Sequence, residues 1–497
     1  MITSNAVKCF PYAQESFFQL TNHLASRETM CMKHSLIENI ITVEGRELQR
    51  RLFEEHINLR DIGNIGDYVI GSDGMKRTHK RVHERTIICI FGEITIKRLG
   101  YGAKGYKSLF PKDAILNLPE ESYSHGIRKL VAQEAAKNSF EEVMNTVKQI
   151  TGVTLPRTAI EILTNKASVD FDLFYANQLP KNSQDLPLLI LSTDGKGIIM
   201  RKEDLLEVTR KKAEQAQHKL LKRQSRGEKA NAKRMATVAS VYSIDRFIRT
   251  PDQIIGELRA AELPVRPRPV EKRVWASVEK SSDKVTENLF NEALSRDPNF
   301  EKKWVCLIDG DPRQLRRIRS FAKKANIPLT IIMDIIHVIE YLWKASRVFN
   351  EETSSKAEKW VTERLLAILQ GKAGQVAAGI RRSATLKGIS KNRRIPIEKC
   401  AGYLLKNKSY LKYHFYLKEG FPIATGVIEG ACRHLIKDRM DVTGARWSLK
   451  GAEAIIKLRS LRSSGDFDKY WEFHEAQEYE RNHQSSYANS SVLDKLK

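Results

Sequence analysis

Three carboxylates occupy apolar or glycine-flanked settings: Asp194 in LLILSTDGKG, Asp309 in WVCLIDGDPRQ and Glu429 in TGVIEGACRHLIKDR. The first two close runs that read as buried strands, and the third falls early in an expected helix. Bare acids in such places are costly unless positive charge sits among them, and a pair of divalent cations is the usual partner. The chain carries 84 Lys and Arg against 60 Asp and Glu, a net charge of +24. Acids that gather cations inside a basic protein point to metal-dependent chemistry on nucleic-acid phosphates. Two Mg²⁺ ions about 4 Å apart, with Mn²⁺ able to substitute, would activate one oxygen and steady the other. On this reading Asp194 bridges the ions, Asp309 holds one and Glu429 the other.

Each acid has a plainer explanation. Asp194 and Asp309 both precede glycine, and Asp-Gly is an ordinary turn signal. Asp311 rivals Asp309, although before Pro312 it suits the cap of a helix PRQLRRIRSFAKKA. Glu340, Glu419 and Asp438 compete with Glu429. Around the acids, Asp334 and His337 in DIIHVIEYLW end one strand and open a helix on one face. His337 could orient a carboxylate or touch a phosphate, or be a packed, hydrogen-bonded histidine. The stripe Ile336, Ile339, Leu342 and Trp343 reads as core. Arg433 and Lys437 lie four and eight residues after Glu429, on its helical face, where they could hold phosphates.

The elements that would position these groups divide the chain into six stretches. Residues 1–123 read as helices followed by a β-hairpin, TIICIF–GE–ITIKRLGY, with the basic run KRTHKRVHER just ahead of it. His79 and His83 in that run have ligand-like spacing, but no zinc is expected there. Residues 124–170 resemble a helix-turn-helix, with Gly152 at the turn and Pro156 in the first turn of a helix presenting Arg157, Thr158 and Glu161. A polar linker NQLPKNSQDLP follows. Residues 185–345 give strand signals in LPLLILSTD, GIIMR, ATVASVYSI, WVCLIDG and IPLTIIMD, an α/β pattern with a mixed sheet. Residues 346–420 read as a basic helical insertion, which accounts for the 120 residues between Asp309 and Glu429. Residues 421–465 return to the core as helix, and 466–497 read as a polar tail whose end, SSYANSSVLDKLK, is expected to be disordered.

Positive charge is clustered. Residues 201–234 hold 12 Lys and Arg against 5 acids, and residues 371–414 hold 11 against Glu398 alone. Such clustering is the footprint of a polyanion partner, here double-stranded DNA, with Arg381, Arg382, Arg393 and Arg394 the candidate grips in the insertion. The 6 cysteines form no CxxC pair, which excludes a disulfide framework or zinc ribbon. No apolar run approaches membrane-spanning length and no signal pattern opens the chain, so a cytoplasmic protein without a membrane partner is expected.

The stretches STDGKGIIMR, RMATVASVY, CLIDGDPRQLRR, DIIHVIEYLWKASRVF and PIATGVIEGACRHLIKDRMDVTGARWSLKGAEAIIKLR resemble bacterial insertion-sequence transposases of the ISKra type, relatives of the Mutator-like DDE transposases. FPKDAILNLPEESYS and DFDLFY match as well, so the resemblance spans roughly residues 45 to 485. It implies an RNase H-like catalytic domain with a helical insertion and a DDE triad, which falls on Asp194, Asp309 and Glu429. Relatives place an Asp or Cys three residues before a histidine between the second and third acids, and Asp334 and His337 fit. Some relatives carry a cysteine-bearing, zinc-like segment before the hairpin, and this chain lacks those cysteines. The implied activity is cutting DNA at the inverted repeats of an element and joining the 3′ ends to target DNA. Holding two ends together implies a homodimer or higher synaptic oligomer. A nuclease of the same fold that never joins, or a transposase-derived DNA-binding regulator, are the alternatives.

Overall fold

The computed structural model describes residues 9–178, 186–215, 231–257, 264–352, 354–442 and 444–489. Two compact units are present: Met1–Asn177 with Asp466–Lys497, and Gln178–Gly465.

In the first unit, helices α1 (Pro11–Leu24) and α2 (His34–Leu59) pack together. Phe10 offers α1 no side-chain cap, and the Glu55 carboxylate of α2 accepts instead from the Tyr12 and Ala13 N–H groups, both at 2.9 Å. Two-residue strands β1 (Val69–Ile70) and β2 (Lys76–Arg77) precede a long hairpin of β3 (His79–Cys89) and β4 (Gly92–Ala103), with β5 (Tyr106–Leu109) on its far side. The ladder runs from His79↔Gly102 to Cys89↔Gly92. The basic run expected ahead of the hairpin is therefore largely its first strand. Ladder hydrogen bonds hold that half, although its side chains are mostly exposed.

Three helices follow, α3 (His125–Ala135), α4 (Phe140–Thr151) and α5 (Arg157–Lys166). Ser139 and Glu142 form a reciprocal capping box on α4, and Gly152 ends it at φ +74°. Pro156 caps α5 from outside rather than entering its first turn. The expected polar tail is instead mostly helix, Phe467–Asn482, and belongs to this unit. Tyr470, Trp471 and His474 are buried, the Tyr470 hydroxyl donates to the Ala167 carbonyl (2.8 Å), and Arg128 pairs with Glu478 in the interior. A composition that reads as polar hides this face because its apolar area comes from aromatic rings and histidine. Tyr487 is buried too, in a bridge to Gly71; the last residues of the tail, 490–497, lie outside the described residues.

The second unit is built on a mixed five-stranded sheet of order β10-β9-β6-β7-β8: β6 Leu188–Ile199, β7 Lys233–Ile244, β8 Val270–Ser277, β9 Lys303–Ile308 and β10 Leu329–Met333. β6, β7 and β8 are antiparallel, while β9 and β10 run parallel to β6. Two strand expectations change. LPLLILSTD and GIIMR form one continuous strand, because Gly195 and Gly197 are extended and leave room for the Met235 and Lys233 side chains of β7. VEKRVWAS forms the strand β8, whose charged first half conceals it.

Helix α6 (Ser282–Arg296) packs on β6 and β7, and α7 (Pro312–Lys324) begins at the Asp311 cap as its sequence indicates. In α8 (Ile335–Phe349) the buried face is Ile335, Val338, Leu342 and Ala345; Ile336, expected in the core, is exposed. The insertion is helical: α9 (Ser355–Leu369), α10 (Ala373–Leu386), α11 (Ile395–Lys406) and the short helix α12 (Tyr413–Lys418). It covers the open edge of β10, where the Tyr413 and Tyr416 hydroxyls donate to the carbonyls of Met333 (2.8 Å) and Ile331 (3.4 Å). The chain then forms α13 (Gly426–Ala431), a π-helix over Cys432–Lys437, and α14 (Leu449–Ser464), which packs on β8. The linker residues 179–185 and part of the basic stretch, 216–230, lie outside the described residues. Among the described residues no helix is long and apolar enough to cross a membrane.

Candidate active site

Register brings the first two acids together. In the parallel pair β6–β9 the last matched residues are Ser192 and Leu307, so Asp194 and Asp309 each stand two residues further on. Equal offsets put both side chains on the same face of the sheet, on strands about 4.8 Å apart. β6 does not end at Asp194, however. It parts from β9 there and continues against β7, with Asp194 opposite Val238. Asp309 lies just past the end of β9, and Gly310 turns the chain at φ +96°. Asp-Gly is thus a turn at Asp309 but not at Asp194.

The two carboxylates feel each other. Burial pushes the Asp309 carboxyl above its ordinary value and Asp194 adds to that, against the Asp311 N–H donated to it (2.8 Å) and the charge of His337. Asp194 accepts from the Gly195 N–H at 2.6 Å and from the Cys432 thiol at 3.1 Å. Burial raises the Cys432 thiol strongly, and Asp194 and Glu429 raise it further, while Lys196 opposes them. Glu429 is exposed on α13, which packs against β6 and β7. Cys432 is thus hydrogen-bonded to Asp194 and feels the charge of Glu429, and Asp309 feels the charge of Asp194.

Asp334 and His337 are tied to this cluster from the other side. Asp334 is fully buried and caps α8, accepting from the Ile336 N–H (3.0 Å). Its other oxygen lies 3.1 Å from His337 Nδ1 and 2.5 Å from the Thr425 hydroxyl. Thr425 Oγ1 in turn stands 3.4 Å from Glu429 Oε1. The hydrogen bond to Asp334 holds His337 above the usual histidine range despite partial burial, with Asp334 and Asp309 adding their charges. His337 is thus biased toward its cationic form beside the acids.

Four residues absent from the sequence reading also shape the site. Cys432 lies three residues after Glu429, so helical spacing alone could have singled it out. Gln314 donates to the Thr193 hydroxyl (2.9 Å) and carbonyl, pinning the strand beside Asp194. Tyr403 of the insertion donates to the Asp309 carbonyl (3.1 Å), and Thr425 joins Asp334 to Glu429. Tyr403 and Thr425 carry no local signal. A further buried acid, Glu453, is structural: it accepts from the Ser277 hydroxyl (2.8 Å) and the Val278 N–H (2.9 Å), closing the end of β8.

The basic candidates divide. Arg433 and Lys437 are exposed beyond Glu429, with Arg433 leaning on Asp438 at 3.4 Å. Arg381 and Arg394 do not stand free. Their Nε atoms donate to the two oxygens of Glu398, at 2.8 and 3.0 Å, and that lone acid of the segment holds α10 to α11. Arg382 and Arg393 are exposed. Arg157 is exposed but paired with Glu161 at 2.9 Å, so two of the three groups expected to meet a DNA groove engage each other.

Among the described residues no three His, Cys, Asp or Glu side chains converge as a ready ion-holding group. The donor set nonetheless suits a hard cation, since Asp194 and Asp309 are oxygen donors whose mutual repulsion a divalent ion would offset. Comparison with protein-family models and with curated proteins gives no match.

Proposed function

We propose that the chain is a DDE transposase of the ISKra kind, with Asp194, Asp309 and Glu429 as its triad on an RNase H-like core. The observation that carries this reading is the register match that brings Asp194 and Asp309 to the same end of neighbouring strands, with Glu429 on the helix α13 that packs against β6. Three antiparallel strands flanked by two parallel ones, and a helical insertion between the second and third acids, support the same fold. Asp194, Asp309 and Glu429 would hold two Mg²⁺ ions, or Mn²⁺, which when bound supply charge for the attacking and leaving oxygens. The chain's own groups orient the reactants. Cys432 and the Gly195 N–H fix the Asp194 carboxylate, Thr425 and Asp334 steady Glu429, and Arg433 and Lys437 offer charge to flanking phosphates.

In the reaction water attacks a phosphorus at each end of the element. A P–O bond forms, the bond to the 3′ oxygen breaks, and a 3′ hydroxyl is released. That hydroxyl then attacks a phosphorus of the target DNA, displacing its 3′ oxygen. Two ends must be held at once, so the working form is at least a homodimer on double-stranded DNA.

The test is to incubate the purified chain and Mg²⁺ with the DNA flanking its reading frame on both sides. Nicked ends with free 3′ hydroxyls, and their covalent joining to a second DNA, are expected. Asp309→Asn and Glu429→Gln should abolish both while leaving gel-shift binding intact. Cleavage without joining would make the protein a nuclease, and binding without either reaction a DNA-binding regulator.

A further inference from the structure

The insertion contains a cavity of about 910 Å³ whose lining includes Lys406, Lys408, Lys412, His414 and Phe415. No Asp or Glu lines it. The three lysines are exposed, and none has an ion-pair partner among the described residues. They differ in this from Arg381 and Arg394, which Glu398 occupies. Phe415 is 47% exposed, so its ring is open to a ligand. Gly371 also lines the cavity. It sits at φ +85°, and a Cβ there would stand 2.5 Å from the His414 ring.

We propose that this cavity binds an unpaired nucleotide of a DNA strand, with its phosphate among the lysines and its base against Phe415. Converging cations without a carboxylate select a phosphate, and an exposed ring beside them offers a stacking surface for any base. The volume is that of a small-molecule site, which takes a nucleotide but not a duplex. Thr330 of β10 also lines the cavity, four residues before Asp334. Along a strand that is about 13 Å, or roughly four nucleotide steps at 3.4 Å each. The cavity and the Asp334 end of β10 therefore lie along one sheet edge, a few nucleotide steps apart. The inference rests on the DNA-processing reading above and deepens it: the insertion holds an unpaired flank, not only the outside of a duplex.

The test measures binding of the full chain to a labelled oligo-dT strand and to a duplex of equal length across a salt series. Replacing Lys406, Lys408 and Lys412 together by Ala should reduce the salt slope for the single strand by roughly 0.7, the amount for one lost phosphate contact. Phe415→Ala should weaken the single strand about ten-fold with the slope unchanged, and Phe415→Trp should restore it. Duplex affinity should change less than two-fold. Equal weakening of both DNAs, or an unchanged single-strand slope, overturns the proposal. So does competition by free dTMP or ATP at micromolar concentration, which would make the cavity a mononucleotide site. If the chain holds single strands here but never cuts its flanking DNA, the transposase reading fails and this one stands. The reverse result removes this one alone.

Discussion

Gly310 gives the sharpest test of how the insertion is joined to the strands that carry Asp194 and Asp309. It follows Asp309, adopts φ +96°, and a Cβ there would stand 2.8 Å from the Tyr403 ring and 2.9 Å from its hydroxyl. Gly310→Ala therefore has two costs. A left-handed conformation costs an L-residue about 1–2 kcal/mol, and overpacking against a held ring about 1–3 kcal/mol. The unit containing Gly310 should lose roughly 2–5 kcal/mol as the sum of these. Tryptophan fluorescence in a urea titration reads it, since Trp304 is fully buried on β9 itself. Combining Gly310→Ala with Tyr403→Ala should return the overpacking part but not the backbone part, a favourable coupling of about 1–3 kcal/mol. The DNA cleavage proposed above should fall by about a hundred-fold in Gly310→Ala, because a shift of an ångström at Asp309 is enough to do that. A Gly310→Ala protein with the wild-type midpoint and activity would refute the reasoning, as would a cycle showing no coupling.

Two further outcomes concern titration. Asp194→Asn removes a negative neighbour and should lower the Asp309 titration midpoint, read from carboxyl ¹³C signals of Asp-labelled protein; an unmoved midpoint would mean burial alone raises it. In the other unit, burial would raise the Asp170 carboxyl, but hydrogen bonds from His474 (2.6 Å) and Arg481 (3.0 Å) prevail and hold it at about 2. A depressed carboxylate contributes stability above its unfolded value, and that contribution is lost as pH falls toward the folded one. Asp170→Asn should therefore cost about 2 kcal/mol at pH 7 and almost nothing near pH 2, read by hydrogen exchange in Phe467–Asn482. An equal deficit at both pH values would contradict the linkage.

Much of the second unit was legible because its signals are local. LLILSTD and WVCLID are apolar runs long enough to specify buried strands, and Asp311-Pro312 marks a helix start from two residues. VEKRVWAS was not legible, because Glu271, Lys272 and Arg273 fill its first half and its buried residues begin only at Val274. Glycines 195 and 197 read as a break, although their role is to admit side chains from β7. The stretch 431–440 alternates buried and exposed pairs every four residues, a period longer than an α-helix allows, and the chain meets it with a π-helix.

The sequence by itself determined which residues could do chemistry: three acids in apolar settings, a histidine near them, and a concentration of lysine and arginine in one helical stretch. It did so because burial, turns and charge density are written in neighbouring residues. Only the tertiary structure decided which groups meet. Asp194 and Asp309 are 115 residues apart in sequence, and strand register makes them neighbours. Arg381 and Arg394 look free in sequence until helix packing places Glu398 between them, and Tyr403 acquires its place beside Asp309 only when the insertion docks. Long-range pairing depends on the packing of whole elements, and no short window of residues encodes it.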